Sequence, residues 1–147
     1  MKLLVKNEKK RCDRLSVMVQ LFTPLFLCLL GLYFVFIRFW HGGDAISGDL
    51  GDARFNAYVL EHTWLWAKEI HSSLFNMPMF VPHENTYAYS DFMLGTAPLY
   101  WVFRKLGCDI LLSYQWWMVL CSALNFSVFY SFLKKIFNLK VFFAALG

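Results

Sequence analysis

Long apolar runs set the layout of this chain. Val17 to Ile37 carries only Gln20 and Thr23 as polar positions. About 20 such residues, rising 1.5 Å each in a helix, cross the roughly 30 Å hydrocarbon layer of a bilayer. The pattern predicts a first transmembrane helix over residues 17–38, with Pro24 and Gly31 tolerated inside it. A cleaved leader has a shorter apolar core and a small-residue cleavage site. Arg38-Phe39-Trp40 follows this run instead, so a retained anchor is expected. Residues 110–133 form another long run and predict transmembrane helix 3. Between them, 87–104 is apolar and aromatic but broken by Ser90, Asp91, Gly95 and Pro98, and predicts a short transmembrane segment 2. Residues 138–147 end on an apolar stretch and predict the start of a truncated transmembrane helix 4.

The intervening stretch, 39–86, is different in kind. Gly48-Asp49-Leu50-Gly51-Asp52-Ala53-Arg54-Phe55 concentrates glycine and charge, and opens a helical pattern. Phe55, Tyr58, Val59, His62, Leu65, Trp66 and Ile70 recur at helical spacing and fill one arc. Arg54, Glu61 and Lys68 fall on the other side. The expectation is an amphipathic helix over about 52–71, capped at its start by Asp52 and lying on the membrane or on the transmembrane bundle. Pro78 and Pro82 mark an irregular loop after it. The predicted fold class is all-α transmembrane, a multi-pass helical bundle with this helix outside the membrane.

Composition supports the membrane class. Of the 147 residues, 59% are hydrophobic and 16% charged, against about 25% charged in ordinary soluble domains. Six bases, Lys2, Lys6, Lys9, Lys10, Arg11 and Arg14, crowd residues 1–16. Beside an apolar run they read as the cytoplasmic flank of a membrane helix rather than as a nucleic-acid-binding arm. The partners expected are membrane lipid and not nucleic acid. Arg104-Lys105 and Lys134-Lys135 then conflict with one another. If both segments before them cross, the two pairs lie on opposite sides. Cys12, Cys28, Cys108 and Cys121 form no C-x-x-C pair, so their spacing gives neither a disulfide framework nor a zinc site.

Asp49 and Asp52 are the chief candidates for chemistry. A carboxylate there can serve as a general base or stabilise positive charge on a reacting sugar. It can equally cap a helix or sit solvated in a turn. Carboxylate oxygens also suit a divalent cation, so Mg²⁺, Mn²⁺ or Ca²⁺ is a possible cofactor, although the EF-hand pattern is absent. Arg54 can hold a phosphate through forked hydrogen bonds, or be a solvated helix residue. Glu61 lies seven residues on, two turns along the same face, as a substrate-binding candidate or a solvated helix residue. His62, on the apolar arc, is either a packed histidine or a proton-transfer group facing a buried site. Asp91 sits at the edge of an apolar run, as a functional group or as a cap. Tyr100, Trp101, Trp116 and Trp117 read as interface anchors or as a sugar-stacking surface. No P-loop, G-x-S-x-G or H-E-x-x-H motif occurs, which removes support for ATP-driven transport, serine hydrolysis and zinc proteolysis.

These residues together resemble the N-terminal portion of a GT-C-type bacterial membrane glycosyltransferase. The likeness rests on the basic N-terminus, one span, Gly48-Asp49-Leu50-Gly51-Asp52-Ala53-Arg54-Phe55, Glu61-His62, Pro78-x-Phe80-x-Pro82, Ser90-Asp91 and Gly95-x-x-Pro98-Leu99-Tyr100-Trp101. It implies a multi-pass protein of the bacterial inner membrane with its N-terminus in the cytoplasm. It also implies inverting transfer of a sugar from a lipid-linked, polyprenyl-phosphate donor to an extracytoplasmic acceptor. Asp52, or failing it Asp49, matches the place of the base. Arg54, Glu61, His62 and Asp91 are the substrate-binding candidates, with Arg54 or His62 on the donor phosphate. Family members carry many more spans than this chain. The competing expectations are a non-catalytic transport or assembly subunit, and an inactive truncated remnant.

Overall fold

A computed structural model of the chain describes residues 2–42, 51–89 and 91–146, with side chains from Met18 onward except those of His41 and Gly42. Asp49, together with Gly48 and Ser90 of the motifs above, lies outside the described residues. The elements are helices α1 (Lys2–Val35), α2 (Ile37–Gly42), α3 (Asp52–Ala67), α4 (Ala97–Lys105), α5 (Ile110–Ile136) and α6 (Val141–Leu146), with 3-10 turns at Thr86–Tyr89 and Met93–Gly95. No strand occurs among the described residues, so the all-helical expectation holds for them.

Among the described residues, two helices are long and apolar enough to cross a membrane: Met18–Val35 within α1, and α5. The run from Val17 is broken by a turn at Phe36, and α1 extends back through the basic segment to Lys2. Residues 87–104 differ from expectation. They form two 3-10 turns and most of a nine-residue helix, about 13 Å long at 1.5 Å per residue, under half the hydrocarbon thickness. Pro98 in the first turn of α4 explains where that helix starts.

Its end is equally local. The Gly107 amide donates to Arg104 O and the Cys108 amide to Phe103 O, with Gly107 at φ +87°. This is the Schellman pattern, which needs a left-handed residue after the C-cap. Asp109 then starts α5, its Oδ1 accepting the Leu112 amide at 2.8 Å. Gly107-Cys108-Asp109 thus turns one helix off and the next one on.

The chain divides into two units, Met1–Val35 with Ser122–Gly147, and Phe36–Cys121. In the first, α6 packs on α1 and buries Ala144 and Ala145. Its helices leave large apolar side chains exposed, among them Phe22, Phe26, Phe34, Val128 and Phe129.

In the second unit α3 is the central helix. One side, Ala53, Ala57, Leu60 and Trp64, packs with Ala97, Tyr100, Tyr114 and Trp117. Another side presents Val59 to Met77 and Tyr87. Burying a residue such as Leu60 contributes roughly 1.5–3 kcal/mol. Protein therefore covers α3 on two sides, rather than the single apolar arc read from its sequence. Ile70, the last member of that arc, is exposed beyond the helix end. The aromatic residues read as anchors or stacking groups are packing elements. Tyr100 is fully buried, the Trp101 indole N–H donates to Thr63 Oγ1, and the Trp117 N–H donates to Thr96 O. Trp116 meets Phe39, Trp40 and Phe103.

Candidate acidic site

The first turns of α3 build one wall of a groove. Asp52, Phe55 and Asn56 stand at i, i+3 and i+4, so helical geometry puts them on one face. Asp52 is the first helical residue and Gly51 the N-cap, with no side-chain capping bond. The predicted cap is therefore displaced by one residue. A carboxylate in the first turn still meets the positive end of the helix dipole.

The opposite wall comes from the segment after the loop. Its 3-10 turn is pinned by Tyr87, whose amide donates to Phe75 O at 3.0 Å and whose ring is fully buried. Thr86 Oγ1 donates to Met77 O at 3.2 Å. Fixed there, the turn presents Ala88, Tyr89 and Asp91 across from Asp52, Phe55 and Asn56, enclosing a groove of about 460 Å³. That volume is within the range of small-molecule sites, about 300–1,000 Å³. Two of the sequence-derived candidates, 39 positions apart (91 − 52), thus share one groove. Asn56 and Tyr89 were not singled out from the sequence. Asn56 carries a signal, a polar residue one turn after Asp52. Tyr89 carries none, because its place depends on the buried Tyr87. Among the described residues no group of three His, Cys, Asp or Glu side chains converges as a metal site would.

The other candidates lie elsewhere. Arg54 is exposed and does not line the groove. Glu61, expected on a solvated face, is buried in an ion pair. Its Oε1 accepts from Arg104 Nη2 at 2.9 Å and its Oε2 from the Tyr100 hydroxyl at 2.7 Å. Arg104 Nε is 2.8 Å from Oε2 but lacks hydrogen-bond geometry, so that contact is Coulombic. The guanidinium is held fixed by a further bond from Nη1 to Cys108 O. Burial pulls Arg104 down, and the Glu61 bond and charge more than offset it, leaving it above its ordinary value. Burial first, then Glu61, pushes the Tyr100 hydroxyl well up, so it stays a donor.

His62 is packed, as one of its two readings held. Its Nε2 is 2.8 Å from Leu74 O, and its Nδ1 is 2.8 Å from His71 Nδ1. A carbonyl only accepts, so Nε2 carries the proton. Neutral His62 then accepts at Nδ1 from His71. Burial lowers the His62 pKa, the Leu74 bond opposes this, and the His71 charge adds to it. His62 thus ties the loop to α3, away from the acidic groove.

The class these observations define, among the described residues, is an all-helical protein with two helices able to cross a membrane by length and composition. No known protein family, curated protein or solved structure matches the chain.

Proposed function

We propose that this chain belongs to a multi-pass, GT-C-like membrane glycosyltransferase. It transfers a sugar from a polyprenyl-phosphate donor to an acceptor on the extracytoplasmic side. The observation that carries the reading is the shared groove of Asp52 and Asp91. Asp52 takes the proton from the acceptor hydroxyl, the freed oxygen attacks the anomeric carbon, and the polyprenyl phosphate leaves with the bonding pair. Asp91, Asn56 and Tyr89 supply hydrogen-bonding groups for sugar hydroxyls. The resemblance in residue order supports the sugar chemistry, and the site lies in the segment that follows the first apolar helix.

Membrane crossing is supported by exposure. None of Met18–Val35 is buried, and only 6% of the apolar window in α5 is. The core helix of a soluble protein would be covered. With the N-terminus in the cytoplasm, α1 leads out and α5 leads back. Lys134 and Lys135 then join the basic N-terminus on the inside, in keeping with the positive-inside bias. Arg104 is paired with Glu61, which leaves Lys105 as the exposed base of that pair.

The test is transfer of labelled sugar from a polyprenyl-phosphate donor, using membranes that hold the protein expressed from its native reading frame. Asp52→Asn is expected to lower turnover by about 10²–10⁴ while leaving membrane levels unchanged. Wild-type turnover in that variant rejects the catalytic assignment.

A further inference from the structure

The unit made of α1, the second half of α5 and α6 holds a groove of its own, of about 450 Å³. Its polar end is cationic. Lys134 and Lys135, at the last turn of α5, line it together with the hydroxyl-bearing Tyr130 and Ser131. Lys134 Nζ stands 6.0 Å over the Tyr130 ring, which orients the ammonium. Its other wall is α1, where Leu21 and Pro24 give an apolar surface just past Gln20. The cationic lining comes from the last turn of α5 and the apolar lining from α1, so charged and apolar residues share one groove.

That combination matches one kind of ligand. A phospholipid places a phosphate at the level where a membrane helix turns basic, and an acyl chain alongside the apolar residues below. We propose that this groove is a binding site for an anionic phospholipid. Its phosphate is held by Lys134 and Lys135, with Tyr130 and Ser131 beside it, and its acyl chain lies on Leu21 and Pro24. Lysines near a membrane surface each favour anionic lipid by about 1 kcal/mol, or roughly fivefold in affinity. The groove adds what a general basic flank lacks, a wall for the chain and a fixed place for the headgroup. The proposal needs the helices in a bilayer but not the sugar chemistry, so either can fail alone.

The experiment is native mass spectrometry of the full chain in neutral detergent. It is titrated with phosphatidylglycerol or with phosphatidylcholine of the same acyl chains. The wild type is expected to retain phosphatidylglycerol at least about fivefold better. Lys134→Gln with Lys135→Gln removes the preference, and Lys134→Arg with Lys135→Arg keeps it. Lys140→Gln, an exposed position outside the groove, also keeps it. Equal retention of the two lipids overturns the proposal, and so does an equal loss in Lys140→Gln, which would mean diffuse charge. Full competition by millimolar inorganic phosphate would identify a free-anion site instead and overturn the lipid assignment. If the double Gln variant loses helicity, the wild-type comparison and Lys140→Gln still decide.

Discussion

Glu61 and Arg104 lie 43 residues apart and meet at 2.9 Å, one on α3 and one on α4. Both are largely buried, with side-chain exposures of 12% and 21%. Removing one partner of such a pair strands the other charge, at a cost of about 3–5 kcal/mol. Arg104→Ala is therefore expected to destabilise the chain by about 3 kcal/mol, and Tyr100→Phe by about 1 kcal/mol. Replacing both charges, Glu61→Leu with Arg104→Met, should recover much of the first loss. Thermal unfolding in detergent, followed by near-ultraviolet circular dichroism, measures this. Additive losses in the double variant would count against the pair.

How far the sequence foretold this arrangement depends on the range of each cause. The two apolar runs were legible because length and composition are local properties. The boundary between 104 and 110 was expected, but Gly107 and Asp109, the local cap residues that set it, were not singled out. Glu61 was misread because periodicity assigns a charge to the wet side of a helix. Its partner Arg104 lies on another element that periodicity cannot see. Residues 87–104 look apolar enough for a span because Tyr87, Ala97 and Tyr100 are core residues of a folded unit. Asp52 and Asp91 were each visible, but their shared groove required the long-range bonds of Thr86 and Tyr87.

The end of α3 gives a prediction about backbone. The helix was expected to reach residue 71 and stops at Ala67. Glu69 at φ 60° occupies the left-handed position, with its amide donating to Trp66 O and that of Ile70 to Leu65 O. This is a Schellman ending without its usual glycine, so no residue announces it. A non-glycine residue there costs roughly 1–2 kcal/mol. Glu69→Gly should stabilise the chain by about 0.5–1 kcal/mol after the entropy of glycine is counted. Thermal unfolding decides the sign, and a loss of stability argues against the left-handed turn.

The His62–His71 contact predicts a pH dependence. His62 titrates lower in the folded chain than its ordinary 6.5 because it is buried. The unfolded chain then binds more protons in that window, so stability rises with pH there. The contribution is whole above pH 6.5 and is lost as pH falls through the lower folded value. Amide-exchange protection of residues 71–77, corrected for the intrinsic pH dependence of exchange, should fall between pH 7.5 and pH 5.5. His62→Gln should flatten that change, and an unaltered slope in the variant would assign it to another group.

The groove predicts a ranking of activities. Asp52→Asn should lower sugar transfer by about 10²–10⁴, the usual size of general-base catalysis. Asp91→Asn should cost about tenfold, one hydrogen bond to substrate. Arg54→Ala should be near wild type, since Arg54 does not line the groove. Steady-state transfer rates at saturating donor test the order. A larger loss for Arg54→Ala than for Asp91→Asn would move the substrate to another face of α3.

Topology separates a two-span layout from a three-span one. A short segment at 87–104 would bring the chain back to the cytoplasm before α5, and α5 would then end outside. The nine-residue α4 is too short for that crossing. The Arg104 charge within it is matched by Glu61. In the two-span layout, alkaline phosphatase fused after Gly107 is outside and active. Fused after Ile136, it is inside and inactive, held there by Lys134 and Lys135. The three-span layout reverses both signs. Replacing the exposed Leu124, near the middle of α5, by Lys adds about 2.5–3.5 kcal/mol to its insertion cost, and should raise the activity of the Ile136 fusion as the span fails to return. An active wild-type fusion at Ile136 together with an inactive one at Gly107 would restore the third crossing.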